Sequence, residues 1–386
     1  MNRPTLFSRP FVLGFAANFM HTLSFFCFLH LPGFLRAHTQ DDFVIGLTMA
    51  AMAASAIVAR PFVGRFMDLR GRRLVAVVGS ILNIVFSAAY LAIDDVGPLL
   101  FAVRVGHGVA EGMLFSVFFT IAADVIPAQR RAEGMALFGV SGMIPLSLAG
   151  LIGDRILAAA GFEELFWFAV ACAALGTLAA FTLPDSGPQA PAGERRSFLA
   201  AASASALRPV WLVGFSFAFA LASYFTFLKT FVDDTGVGSV GAFFTAYTTA
   251  AVLLRLALGW LPDRVGPRRV LVPSVWAAAL GIVVLAYGGS TAAVVVAGVL
   301  CGIGHGYAFP IASAMVVMRT PEHERGTTLA AFTALFDLGL FVGAPLLGFV
   351  LERASYEAMF TFAASVATVG SLVFWVWDRR AAPDAR

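Results

Sequence analysis

Arg104, His107 and Glu111 follow one another at spacings of three and four residues inside an otherwise apolar run, roughly 98–121. At about 100° per residue the three share one helix face within about 60°, and Arg104 and Glu111 lie about 10 Å apart along the axis. That separation is too long for a simple adjacent ion pair, so each side chain looks to another helix or to a cavity. An ionisable group at the centre of a membrane helix costs about 2.5–3.5 kcal/mol on insertion scales, so the groups found there are the informative ones. Asp337, His305, and His21 with Asn18 hold similar mid-run positions. The chemistry these residues offer is proton exchange at a carboxyl and binding of an anion by a guanidinium. Structural roles compete with it: a satisfied carboxylate at Glu111, a packing pair at Arg104, an interhelical hydrogen bond at Asp337. His107 and His305 each sit between two glycines, so close helix approach accounts for the pattern as well as an imidazole role does. His21 with Asn18 is equally balanced. His30, His38 and His323 lie near surfaces and receive no role. The six histidines show no metal-ligand spacing, and neither metal nor cofactor is expected.

The elements that must position these residues are membrane helices. Of 386 residues 59% are apolar and 13% charged, and the mean hydropathy is +0.85. Soluble domains are about 45–50% apolar and about 25% charged. Twelve apolar stretches are placed at roughly 10–31, 43–63, 74–93, 98–121, 134–153, 163–183, 209–231, 240–261, 270–289, 291–316, 327–351 and 357–377. They are continuous and about twice as long as the roughly 10-residue alternating strands of a membrane barrel. An all-α integral membrane fold with twelve transmembrane helices is expected. The first run is too long for a signal-peptide core and is read as a retained helix. Cys27, Cys172 and Cys301 fall singly inside helices and make no disulfide framework. The chain has 25 Arg and one Lys, Lys229, which follows Leu228. The Gly-Lys-Ser/Thr of a P-loop is therefore impossible.

With the N-terminus placed inside, 21 of these cations fall in cytoplasmic loops or at inner helix ends and four on the outer side. The positive-inside rule then sets both termini in the cytoplasm. The net charge of +3 marks topology beside an anionic leaflet, and no nucleic-acid partner is implied. The stretch 184–207, rich in Pro, Gly and charge, reads as a cytoplasmic linker between bundles at 1–183 and 208–386. The two resemble each other. Arg60, Gly64, Asp68, Gly71 and Arg73 recur 195 residues later as Arg255, Gly259, Asp263, Gly266 and Arg268; Gly106-His107-Gly108 recurs as Gly304-His305-Gly306; Gly139 and Pro145 recur as Gly339 and Pro345. A duplicated six-plus-six chain is a secondary-transporter architecture, with the site between repeats at the midplane.

Arg60-Pro-Phe-Val-Gly64-Arg-Phe-Met-Asp68-Leu-Arg-Gly71-Arg72-Arg73 resembles the signature loop between helices 2 and 3 of the major facilitator superfamily, and Arg255 to Arg269 its second copy. Arg104-Val-Gly-His107-Gly108 resembles the helix 4 motif, and Asp124, Pro127 and Arg131 the loop after it. Glu111 departs from the small residue usual at its place, and helix 5 lacks the contiguous Gly-Pro and Gly-Gly of the antiporter motif. The resemblance implies a cavity lined by helices 1, 4, 7 and 10, which brings Asn18, His21, Arg104, His107, Glu111 and His305 to it, with Asp337 of helix 11 one shell out. It also implies a cytoplasmic gate of Arg60, Gly64, Asp68, Gly71, Arg72, Arg73, Asp124, Arg255, Gly259, Asp263, Gly266 and Arg268. There Asp68 and Asp263 would face helix N-termini, and Gly64 and Gly71 would allow close approach and a tight turn.

A carboxyl group withdrawn from water favours its protonated form, and exchange of that proton is what a proton-coupled carrier needs. The leading expectation is alternating-access efflux of a small organic molecule by proton antiport, resting on resemblance to bacterial drug and sugar efflux permeases of the cytoplasmic membrane. The alternatives are proton symport of an anionic molecule bound at Arg104, and a transporter-like receptor or lipid-handling protein without ion coupling. No enzyme signature is present, and a monomer in the bilayer is expected. Tyr224, Tyr247 and Tyr307 are candidate hydroxyl donors to cargo.

Overall fold

The computed structural model describes residues 6–127, 130–184, 198, 202–321 and 324–381. The described chain is all-helical, with twelve helices long and apolar enough to cross a membrane. They are α1 (Arg9–Cys27), α2 (Asp42–Arg70), α3 (Arg72–Ala89), α4 (Pro98–Val125), α5 (Arg131–Ala159), α6 (Phe162–Phe181), α7 (Arg208–Thr235), α8 (Val240–Leu258), α9 (Pro267–Tyr287), α10 (Thr291–Met318), α11 (Arg325–Arg353) and α12 (Tyr356–Ala381). Each falls on one expected apolar stretch. Local chemistry sets several starts. The Oγ atoms of Ser8, Ser239 and Ser290 accept from Phe11, Ala242 and Ala293 amides at 3.4, 3.0 and 3.2 Å, satisfying amides that a helix start leaves open. Pro98 and Pro267 are first residues of α4 and α9, where proline loses no helical hydrogen bond.

The signature segment is not a loop. α2 continues through Pro61 to Arg70, and only Gly71 separates it from α3. Gly71 has φ +86° and Gly266 has φ +102°, backbone that is open essentially to glycine. Their amides donate to Met67 and Pro262 carbonyls, each at 3.0 Å. The two copies therefore end a helix and open the next in the same way, although in the second a five-residue helix, Leu261–Val265, follows the end of α8.

The chain divides into two compact units. One holds the described parts of Met1–Phe34 and Ala54–Pro191, the other Leu35–Ala53 with the described parts of Ala192–Arg386. In the first, α1 packs on α5 and α6, and α3 on α4 and α6; in the second, α7 packs on α11 and α12, and α9 on α10 and α12. This is the pseudo-symmetry expected from the repeats. Small residues permit the approaches. A Cβ on Gly298 or Gly302 of α10 would strike the α8 backbone at Phe243 and Tyr247, and one on Gly339 or Gly343 of α11 would strike α7 at Phe215 and Phe219.

Leu35–Ala53 belongs to the second unit for a similar reason. Gly46 lies against the backbone of Ala344 and Pro345, and Gly348 against that of Asp42 and Phe43. Polar contacts close the same end: Arg36 Nη2 is 2.5 Å from Asp42 Oδ1 and 3.4 Å from Asp234 Oδ2, and Tyr356 donates to Asp234 at 2.7 Å. Most of the stretch 184–207 lies outside the described residues.

Candidate functional site

α3 and α4 approach closely because a Cβ on Gly79 of α3 would stand only 3.1 Å from Met113 and Leu114, and Gly106 of α4 lies under the Phe86 ring. That approach brings the polar residues of α3 to His107. Arg104 Nη1 donates to the Tyr90 hydroxyl at 3.3 Å. The same hydroxyl is 3.4 Å from His107 Nδ1, and His107 Nε2 donates to Asn83 Oδ1 at 3.1 Å. Asn83 Nδ2 donates to His21 Nδ1 at 2.9 Å, and His21 Nε2 is 2.8 Å from Ser80 Oγ. Ser87 Oγ also donates to Asn83 Oδ1, at 3.3 Å. All of these side chains are buried. Aromatic rings and glycine complete the seat: Phe25 stacks on His107 at 4.8 Å, Phe118 on His21 at 5.8 Å, and the His21 ring occupies the space a Cβ on Gly176 of α6 would take.

Arg104, His107 and His21 thus belong to one buried polar chain, whereas Asn18 does not. Its Nδ2 donates to Ser141 Oγ of α5 at 2.8 Å. Ser80, Asn83 and Tyr90 are site residues that sequence reasoning missed. Their signal was present: Ser80, Asn83, Ser87 and Tyr90 recur at spacings of three, four and three residues, one face of a helix.

Glu111 lies one turn beyond His107 and is half-buried. The cations acting on it electrostatically are Arg60, then Arg104. Arg60 comes from α2, which meets α4 where Gly112 faces Ala56. One turn along from Ala56, the Arg60 guanidinium lies over the Phe115 ring at 5.7 Å. Arg60, assigned from the sequence to the gate, therefore acts electrostatically on the Glu111 carboxylate.

The second unit treats the equivalent residues differently. His305 is half-buried. Its Nδ1 is hydrogen-bonded to the Tyr247 hydroxyl of α8, and its ring lies among Phe217, Phe309 and Phe336 at 5.9–6.4 Å. The flanking Gly304 and Gly306 both face neighbouring helices, at Ala278 of α9 and Ala251 of α8. Arg255, the counterpart of Arg60, donates from Nε to the Gly306 carbonyl at 3.0 Å. Tyr307 spends its hydroxyl on the Leu258 carbonyl at 2.5 Å, and Tyr224 is buried against Tyr247. Asp337 is half-buried on α11. By helical geometry it shares a face with Ala344 and Gly348, the residues packed on Leu35–Ala53, and lies nearly opposite Gly339, which meets α7.

At the arginine-rich end the gate candidates are bonded within their own units. Arg72 Nε is 2.7 Å from Asp124 Oδ2, and Arg73 donates to the Phe181 carbonyl of α6 at 2.8 Å. In the repeat, Arg268 donates to the Trp375 carbonyl of α12 at 2.6 Å. The acid there is Asp378, missed from the sequence, which accepts from Arg319 at 2.6 and 3.0 Å and lies 3.5 Å from Arg268. Asp263 is exposed in the first turn of the five-residue helix. Gly259 lies against its own helix at the Arg255 carbonyl. The close approach expected at Gly64 is not found: among the described residues nothing lies within 4 Å of where its Cβ would stand. The Asp68 side chain lies outside the described residues. His30 also departs from expectation. It is buried, not superficial, because Gly153 of α5 leaves room for its ring, and its Nε2 is 3.1 Å from Asp154. His38 is exposed as expected, and His323 lies outside the described residues. Among the described residues no group of three His, Cys, Asp or Glu is placed to hold a metal ion.

Comparison with known proteins agrees with this architecture. The chain is 24% identical over 369 residues to an uncharacterized MFS-type transporter, YhhS, of Salmonella enteritidis, covering 92% of this chain and 89% of that protein. The YhhS protein of Escherichia coli K12 is 22% identical over 361 residues, 91% of this chain and 87% of that one. Among solved structures, the human organic anion transporter MFSD10 superposes with a TM-score of 0.74 at 20% identity, covering 96% of this chain and 100% of that one. A POT family transporter in complex with 5-aminolevulinic acid gives 0.82 at 13% identity, covering 97% and 96%. Residues 13–243 and 210–386 each match the Major Facilitator Superfamily, a family of transporters and not enzymes, and with twelve spans in two pseudo-symmetric bundles this chain is a member of it and a secondary transporter.

Proposed function

We propose that the chain moves a small organic molecule by alternating access coupled to protons, with Glu111 as the group that exchanges the proton and with export by antiport as its direction. The observation that carries this reading is a half-buried carboxylate at mid-helix on which Arg60 and Arg104 act electrostatically. A carboxyl in that position changes charge state at the cost of its interaction with two cations, so proton binding and rearrangement of α2 against α4 are energetically linked. The arginine-rich end is taken as cytoplasmic, with 184–207 joining the halves. Arg72 with Asp124, and Arg268 and Arg319 with Asp378, brace the helices that open and close there; Asp68 and Asp263 belong to the same gate. His305 and Asp337 contribute from the second half.

The experiment is cargo-induced proton movement in proteoliposomes, read with an internal pH dye across panels of drugs, sugars, amino acids and organic acids. Antiport acidifies the side to which cargo is added. Glu111→Gln is expected to abolish the signal while cargo-for-cargo exchange persists. A signal of wild-type size in that variant excludes Glu111 as the proton site.

One observation favours a second reading, proton symport of an anion. Two guanidiniums act on one carboxylate, and protonation of Glu111 leaves both to an anionic cargo. The solved neighbours of the same fold include a protein described as an organic anion transporter and one bound to 5-aminolevulinic acid. Alkalinisation of the cargo side by organic acids alone selects this reading.

A further inference from the structure

The buried chain of the first unit has a direction. Asn83 is its centre, and its two amide ends are chemically distinct: Nδ2 only donates and Oδ1 only accepts. Nδ2 points at His21 Nδ1 at 2.9 Å, so that nitrogen carries no proton and His21 must hold its proton on Nε2, from which it donates to Ser80 Oγ at 2.8 Å. Oδ1 faces His107 Nε2 at 3.1 Å, so His107 also carries its proton on Nε2. The remaining nitrogen, Nδ1 of His107, meets the Tyr90 hydroxyl at 3.4 Å. That hydroxyl's oxygen already accepts from Arg104 at 3.3 Å, which leaves its proton for His107. Every donor then points the same way, from Arg104 through Tyr90, His107, Asn83 and His21 to Ser80. Bonds aligned in this manner polarise and strengthen one another.

We propose that Asn83 is a positioning residue: its single amide holds both His21 and His107 in the neutral, Nε2-protonated tautomer, and through His107 and Tyr90 it fixes the Arg104 guanidinium on α4. A primary amide does not relay protons, so the two imidazoles are not joined into a proton path, and their place in the membrane interior is architectural. This refines the proposed function by leaving Glu111 as the proton-exchanging group of the first unit, and it rests on that reading only in this respect, because the tautomers stand whether or not the protein moves protons.

The test is nitrogen-15 spectroscopy of the full chain, labelled at histidine and reconstituted in lipid bilayers, with His21 and His107 assigned by their loss in His21→Gln and His107→Gln. Each is expected to show a protonated Nε2 and a bare Nδ1. An imidazolium or an Nδ1-protonated form at either residue in the wild-type protein overturns the proposal, and this needs no variant of Asn83 to fold. In Asn83→Asp both side-chain oxygens accept, so a protonated Nδ1 is expected to appear at His21 while His107 keeps its form. In Tyr90→Phe the His107 Nδ1 resonance is expected to move and that of His21 to stay. An unchanged His21 in the first variant, or an unchanged His107 in the second, shows that the amide and the hydroxyl do not set these states.

Discussion

His107 and His305 are copies of one position, each set between two glycines and among phenylalanine rings, yet the two units give their ring nitrogens different polar partners. His107 has a polar partner at both ring nitrogens and closes a buried chain across α1, α3 and α4. His305 has Tyr247 on one nitrogen and phenylalanine rings around the remainder. The arginine pair diverges in the same way: Arg60 lies over Phe115 and acts electrostatically on Glu111, while Arg255 donates to a backbone carbonyl. The backbone solution has survived duplication and the side-chain chemistry has not. Glycine contacts and positive-φ turns are requirements of helix packing, which both units share. Ionisable groups are costly in the membrane interior and persist where a particular unit uses them.

Paired variants of the two units test this contrast. The largest effect is expected for Glu111→Gln, which reduces proton-coupled flux to background, whereas Asp337→Asn in the second unit leaves a measurable fraction; equal loss in the two removes the asymmetry. Next is Asp378→Asn. Asp378 is buried, with a side chain 2% exposed and two arginine partners, and breaking such a cluster costs about 3–5 kcal/mol. Asp124, 33% exposed with one arginine partner among the described residues, should cost about 1 kcal/mol or less when neutralised. Thermal unfolding of the two variants side by side reads the difference. Then His107→Leu takes one of two donors from the Asn83 amide oxygen, which keeps Ser87, and removes the acceptor of the buried Tyr90 hydroxyl, at about 1–3 kcal/mol together, while His305→Leu removes the partner of one hydroxyl, Tyr247, and should lower stability by about 1 kcal/mol. Matching losses would mean the polar chain contributes nothing special. The smallest contrast is expected where the units agree. Gly71→Ala and Gly266→Ala each force a side chain into glycine-only backbone at about 1–3 kcal/mol, and the two penalties should be alike.

The gate and the membrane interior were unequally legible in the sequence. Arg72 with Asp124 is an ion pair between residues that the motif itself singles out. Asp378 escaped notice because it stands at the end of the last span, where an acid beside Arg379 and Arg380 reads as ordinary flanking charge; only the packing of α12 and α10 on α9 brings it to Arg268 and Arg319. Asn83 escaped because the spacing of Ser80, Asn83, Ser87 and Tyr90 marks a polar helix face without saying which residues that face meets. His30 was misjudged because its burial depends on Gly153, more than 120 residues away.

Hydrophobic run lengths, arginine distribution and the recurrence of Arg60-to-Arg73 at Arg255-to-Arg268 by themselves determined the twelve helices, the duplicated architecture and the family. The helices follow from a local segment against its solvent, the bilayer, complete within about 20 residues, and the duplication from comparing such segments along the chain. The tertiary structure alone decided which groups meet: that Arg60 lies over Phe115, that one asparagine joins two histidines, and that Leu35–Ala53 belongs to the second unit. Those outcomes depend on which glycines let two backbones approach and on the rotation of each helix about its axis. A roughly 100° turn of α3 would carry Asn83 away from both imidazoles without changing any hydropathy pattern.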